Sequence, residues 1–206
     1  MTMAEFTSQT TKKGERLVIV TFDDGYADNY TVAFPILKRY GFVATVFLVS
    51  DYVNTDHVYC WDLPAAEAQG DLNPYRLLSW GQIHEMAAYG IEFGSHTCTH
   101  PQLTQLTTQE CWTEIVRSRV DLQARLGREV VSFCYPRGDL NAEVVQMVRQ
   151  AGYRSAVVTL PRPVVALSRY THGRVGIYRS TSPLLFRLKT MPWVTRIYFE
   201  HLARAQ

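Results

Sequence analysis

Residues 17–26 read Leu-Val-Ile-Val-Thr-Phe-Asp-Asp-Gly-Tyr. The five residues Leu17 to Thr21 are apolar or β-branched, which marks a buried strand. The run ends abruptly in Asp23-Asp24-Gly25. Two adjacent carboxylates at the exit of such a strand are costly unless paired or used. Neighbouring side chains of a strand point to opposite faces. The strand must therefore end at this point, with Gly25 allowing the turn, if both carboxylates are to converge on one site. Taken alone, the same residues also suit a surface turn, so the surrounding chain decides.

Downstream of this stretch, residues 28–40 (DNYTVAFPILKRY) carry Val32, Ala33, Ile36, Leu37 and Tyr40 at helical spacing, interrupted by Pro35. Gly41 caps that helix, and residues 42–49 (FVATVFLV) form a second strand. Strand, helix, glycine and strand make a βαβ unit and hence a parallel sheet. The pattern then repeats. Ser79-Trp80-Gly81-Gln82 and Thr107-Thr108-Gln109-Glu110 are capping boxes that open helices ending near Tyr89 and Leu126. Strands are expected at Ile91–Gly94, Glu129–Cys134 and Tyr153–Leu160, with a helix over Asn141–Ala151. Residues 51–78 show no clean period but are rich in aromatics, as an ordered loop beside a cleft would be. Beyond Pro161 the pattern weakens, with one or two helices expected within Pro183–Ala205, broken at Pro192.

Bulk composition narrows the function classes. The 206 residues are 47% hydrophobic and 19% charged, which suits one globular domain spanning residues 1–206. A net charge of +2 offers no footprint for nucleic acid. No apolar run is long enough to span a membrane. The polar start lacks a secretory h-region, giving an expectation of a cytoplasmic protein, or an extracytoplasmic one if a native leader precedes it. Cys60, Cys98, Cys111 and Cys134 contain no C-x-x-C pair and read as free thiols. His57, His84 and His201 have no evident partner.

In a parallel α/β fold the site gathers at the C-terminal ends of strands. Asp23-Asp24, His96 to His100 and Tyr135 to Gly138 all fall there. Two histidines four residues apart with one carboxylate are a common zinc set that leaves a position for water. The second carboxylate of the Asp pair can then take a proton from that water.

The stretches TFDDGYADNY, GSHTCTHPQL and FCYPRG resemble, in order, the first three motifs of the polysaccharide deacetylase family, the NodB-homology domain. The similarity runs from Leu17 to about Leu160 and includes the ATVF of the second strand and LSW before the first capping box. It implies a distorted (β/α)7-type barrel and a hydrolase that removes N-acetyl groups from a carbohydrate polymer. It further implies Asp23 as general base and Asp24, His96 and His100 as ligands of a divalent metal, zinc foremost. Thr97 would brace the loop, the backbone N–H of Arg137 would bind the oxyanion, and Tyr135, Pro136 and Arg174 would contact the sugar. Three departures accompany the likeness. Cys134 stands where many members carry an arginine that orients the base, and Arg137 stands where an aromatic is usual. The Leu-x-His that supplies the general acid has no clear counterpart, His172 being the only late histidine before the terminal helices. A deformylase or small-amide hydrolase with the same machinery, and a weakly catalytic glycan-binding domain, are the competing readings.

Overall fold

The computed structural model describes residues 1–8, 17–159, 168–178 and 180–191. Six parallel strands form one sheet in sequential order: β1 (Thr21–Phe22), β2 (Thr45–Leu48), β3 (Glu92–Ser95), β4 (Ser132–Cys134), β5 (Ser155–Thr159) and β6 (His172–Arg174). Seven α-helices are described with them: α1 (Met3–Ser8), α2 (Phe34–Tyr40), α3 (Leu63–Gln69), α4 (Trp80–Tyr89), α5 (Thr108–Leu126), α6 (Ala142–Gln150) and α7 (Pro183–Thr190). Sequential parallel pairing with helical crossovers is the barrel topology expected from the alternating pattern. None of these helices is long and apolar enough to cross a membrane.

The helix signals act as the sequence chemistry requires. Both capping boxes form: Ser79 and Gln82 exchange bonds of 2.9 and 3.3 Å, and Thr107 and Glu110 do the same. Pro35 is the second residue of α2 and lies where the preceding π-helical turn passes into it. The residues before it, Asn29–Ala33, form a π-turn.

The sheet buries both faces. Val46, Leu48, Phe93, Phe133, Ala156 and Val158 face the helices, against Ile83, Met86, Ile115, Leu122 and Val148. The alternate residues Phe47, Cys134 and Val157 face the concave side and pack on Met3 and Phe6 of α1. Helix α1 therefore sits on the concave side of the sheet. Its amides at Met3 and Ala4 donate to Thr45 Oγ1 (3.0 Å) and Glu92 Oε2 (2.8 Å). Ser132 Oγ donates to the other oxygen of Glu92 at 2.6 Å.

Several expected boundaries shift. The first strand is shorter than Leu17–Thr21, and Val18 is 75% exposed. The helix α3 lies in the stretch expected to be irregular, while α1 and β6 carried no sequence signal. The strand end at Leu160, the Pro192 break and His201 lie outside the described residues.

Gly94 faces the concave side, where a Cβ would come within 2.6 Å of the Phe47 ring and 2.8 Å of the Ser132 carbonyl oxygen. The carbonyl belongs to the β4 backbone and cannot turn aside. Gly94→Ala should therefore destabilise the protein by about 1–3 kcal/mol, read as a lower denaturant midpoint at unchanged slope.

Candidate metal and catalytic site

The site is built at the C-terminal ends of β1, β3 and β4. After β1 the backbone turns through two left-handed residues, Asp24 (φ 69°) and Gly25 (φ 75°). That reversal brings both carboxylates to one side, and a Cβ on Gly25 would meet the Leu48 side chain at 2.9 Å. After β3 the loop to His100 contains two more left-handed residues, Thr97 (φ 69°) and His100 (φ 60°). Thr97 Oγ1 donates to the His96 carbonyl (2.5 Å) and accepts the His100 N–H (3.0 Å).

These turns converge three ligand atoms. Asp24 Oδ1 lies 3.5 Å from His96 Nε2 and 3.4 Å from His100 Nε2. A tetrahedral zinc with bonds of about 2.0–2.1 Å separates its ligand atoms by about 3.3 Å. Asp24 Oδ1 is buried and has no hydrogen-bond donor among the described residues. A buried carboxylate oxygen left unpaired is expensive, and a cation would satisfy it. His96 Nδ1 sits 2.8 Å from the Cys134 carbonyl, which can only accept, so Nδ1 carries the proton and Nε2 presents its lone pair. The residues present thus fit a divalent metal.

Asp23, His96 and Cys134 form a second close group, but it suits a cation badly. Both Asp23 oxygens are already held by Arg174, through Nη1 to Oδ1 and Nη2 to Oδ2 at 2.7 Å each. Arg174 Nη2 also reaches Cys134 Sγ at 3.1 Å, so a cation there would face a guanidinium. Burial holds the Cys134 thiol well above its usual range, in the protonated form.

Arg174 is therefore placed differently from the sugar contact that the resemblance implied. Its fork is spent on Asp23, Thr21 Oγ1 (3.0 Å) and Thr159 Oγ1 (2.6 Å). Tyr135 also departs from its expected place in the sugar groove. It is 1% exposed, lies in the core and donates its hydroxyl to the Tyr170 carbonyl at 2.9 Å, and Pro136 beside it is buried. Position 135 follows β4 on the face turned to the helices, so its ring packs against Phe133. Arg137 alone of that motif is exposed, at φ 56°. His172 is not brought to the cluster: its ring packs edge-on against Phe6 of α1 at 5.5 Å.

The aromatic-rich stretch expected beside a cleft supplies a wall next to His100, whose members the sequence reading had given no role. Tyr59 donates its hydroxyl to the Asp24 carbonyl at 2.8 Å. Trp61 stacks on Tyr59, with centroids 4.4 Å apart, and its ring lies 4.9 Å from that of His100. Trp61 Nε1 donates to Tyr26 Oη at 3.0 Å, and Tyr26 donates in turn to Asp62. The Arg137 guanidinium lies 5.4 Å from the Trp61 ring centroid. The aromatic density of residues 51–78 was the available signal, but it named no partner.

A sequence profile described as polysaccharide deacetylase matches residues 10–156 of the chain. The chain belongs to the polysaccharide deacetylase family. YxkH of Bacillus subtilis, whose own assignment as a polysaccharide deacetylase is provisional, is 32% identical over 154 residues, covering 75% of this chain and 48% of YxkH. The peptidoglycan-N-acetylglucosamine deacetylase PgdA of Listeria monocytogenes is 26% identical over 66% of this chain but only 24% of its own length. The chain thus spans about half, or less, of these relatives. Among solved structures, the Streptococcus pyogenes deacetylase PplD in complex with acetate superposes with a TM-score of 0.72 at 26% identity, covering 91% of this chain and 76% of PplD.

Electrostatics divides the two aspartates of the candidate site. Burial opposes ionisation of Asp23, but the charge and hydrogen bonds of Arg174 outweigh it and hold the carboxyl below its usual range. Burial pushes Asp24 up to about 6, the charges of Asp23 and Asp62 adding to the effect and His96 opposing it. Burial, with the charges of His96 and Arg137, pushes His100 down to about 3, leaving its imidazole neutral.

Two outcomes follow from this division. A cation and a proton compete for Asp24, so zinc affinity should fall about tenfold per pH unit for that proton below about pH 6; chelator competition on either side of that pH measures it. Arg174→Gln leaves burial acting on Asp23 without its main counter-charge, so the acid limb of the kcat/KM profile should move to higher pH. Arg174→Lys, which keeps the charge but loses the fork, should fall between the two.

Proposed function

We propose that this chain is a metal-dependent hydrolase that removes N-acetyl groups from an N-acetylated polysaccharide or oligosaccharide. The observation that carries the reading is the unpaired Asp24 Oδ1, facing the Nε2 atoms of His96 and His100 beside a second carboxylate locked by arginine. The names of YxkH, PgdA and PplD as deacetylases support it.

Asp24, His96 and His100 would hold the metal, and a two-histidine, one-carboxylate set suits zinc. When bound, such an ion polarises the amide carbonyl and acidifies a water molecule. The remaining work belongs to the chain. Asp23 is kept ionised by Arg174, and with its oxygens fixed by that fork it accepts the proton of the attacking water. The backbone N–H of Arg137, at its left-handed turn after β4, donates to the oxygen that becomes negative in the tetrahedral intermediate. With His172 facing α1, the proton taken up by Asp23 is the one available to pass to the departing amine nitrogen. The amine nitrogen gains that proton as its bond to the carbonyl carbon breaks, and the second proton of the water, left on the new carboxyl group, passes to the free amine or to solvent as acetate departs. Trp61 and Tyr26 form the wall against which the sugar ring would lie.

Asp23→Asn should lower kcat by about 10²–10⁴ while leaving zinc uptake intact. Asp24→Ala and His96→Ala should lose zinc and acetate release together. Acetate release from N-acetylhexosamine oligomers by zinc-loaded protein is the direct assay. Its absence with every such oligomer would sink the substrate assignment.

A further inference from the structure

The loop that carries both histidine ligands is held on two sides. On the β2 side, the N–H groups of Ser50 and Asp51 donate to the carbonyls of Thr97 and Cys98, at 3.1 Å each, and Tyr52 Oη donates to the Thr99 carbonyl at 3.3 Å. Those bonds take the carbonyls of the loop and leave its amides. The successive N–H groups of Cys98 and Thr99 point the other way and converge on one atom, Oε2 of Glu114 on α5, at 2.8 and 2.9 Å. The Thr99 hydroxyl donates to Oε1 of the same carboxylate at 2.8 Å. Successive amides turned to one side make a small anion cradle, and Glu114 fills it. One turn further along α5, Arg117 Nε donates to Cys98 Sγ at 3.2 Å, and Arg117 also pairs with Asp51.

The loop needs an outside hold. Thr97 and His100 both adopt left-handed backbone that side-chain-bearing residues avoid. The three Glu114 bonds fall on Cys98 and Thr99, between these two strained positions. Removing the carboxylate would strand two amides there, and an amide without an acceptor drives local rearrangement.

We propose that Glu114 is a positioning residue for the metal: it touches no ligand atom, but it fixes the spacing of His96 Nε2 and His100 Nε2 by clamping the residues between them. This rests on the metal reading of the site given above. The role is one of geometry rather than charge. A glutamine can place its amide oxygen where Oε2 stands and accept both N–H groups, while the Thr99 hydroxyl turns round to accept from the amide nitrogen.

The test is zinc affinity, by chelator competition on the full chain, alongside thermal melts with and without zinc. Glu114→Ala should weaken zinc binding by about 10–100-fold. Glu114→Asp, one methylene short of the cradle, should also weaken it and keeps the charge should the alanine variant fail to fold. Glu114→Gln should stay close to wild type. A residue with a merely structural role would lower Tm with and without zinc alike and leave the zinc-induced rise unchanged. Here that rise itself should shrink in the alanine and aspartate variants. Wild-type affinity and an unchanged rise in the aspartate variant would overturn the proposal, as would a glutamine variant as weak as alanine. Zinc uptake absent from the wild type itself would overturn the metal reading along with it.

Discussion

The bidentate pair between Arg174 and Asp23 is the constraint on which the rest of the site depends. β1 and β6 stand at opposite ends of the strand order, and no ladder pairs them. The Arg174 guanidinium spans from β6 to the β1 end, bonding Thr21 and Asp23, and also holds Thr159 on β5. A contact that joins the two edge strands is therefore also the one that holds Asp23, the proposed base, ionised. Neither group could be buried there alone, because an unpaired ion in that environment is strongly destabilising. The fold and the proposed chemistry share one ion pair, and opening the sheet at this seam would break it.

This arrangement explains the cysteine at position 134. The resemblance calls for an arginine at that place, oriented toward the base. Here the guanidinium arrives from β6 and lies against Cys134 Sγ, over the Phe47 ring. A side chain as small as cysteine leaves room for it, whereas a second arginine would bring two cations together. In this chain the guanidinium that faces Asp23 comes from β6, not from position 134.

How much of this was legible follows from the range of the signals. The alternation of strand and helix, the two capping boxes and the glycine ends are encoded within a few residues, so their elements appear where the chain predicts them. The candidate ligands Asp24, His96 and His100 could be read as a group because motif spacing and strand ends are also local, and the structure brings them together. Other features were not legible. β6 is three residues long and includes a glycine, too short for any period. Helix α1 is six residues of mixed polarity whose burial depends on Thr45 and Glu92, far along the chain. Arg174 has Asp23 as its partner 151 residues away, and Glu114 reaches Cys98 from 16 residues off. Such pairings have no local pattern, which is why Arg174 read as a sugar contact and Tyr135 as groove lining before their surroundings were visible.

Five residues other than glycine lie in the left-handed region among the described residues, and four of them, Asp24, Thr97, His100 and Arg137, surround the site. Each such turn costs about 1–3 kcal/mol and persists only where its neighbours over-determine it. The neighbours can be named at three of the turns. The Tyr59 hydroxyl donates to the Asp24 carbonyl, the Thr97 hydroxyl bridges His96 to His100, and Glu114 holds the amides between Thr97 and His100. These bonds come from protein groups and need no ligand in place. The ligand atoms are thus brought within reach of one another by the fold itself. That preorganisation leaves Asp24 Oδ1 without a donor, and the cost of that one oxygen becomes a driving force for capturing a cation.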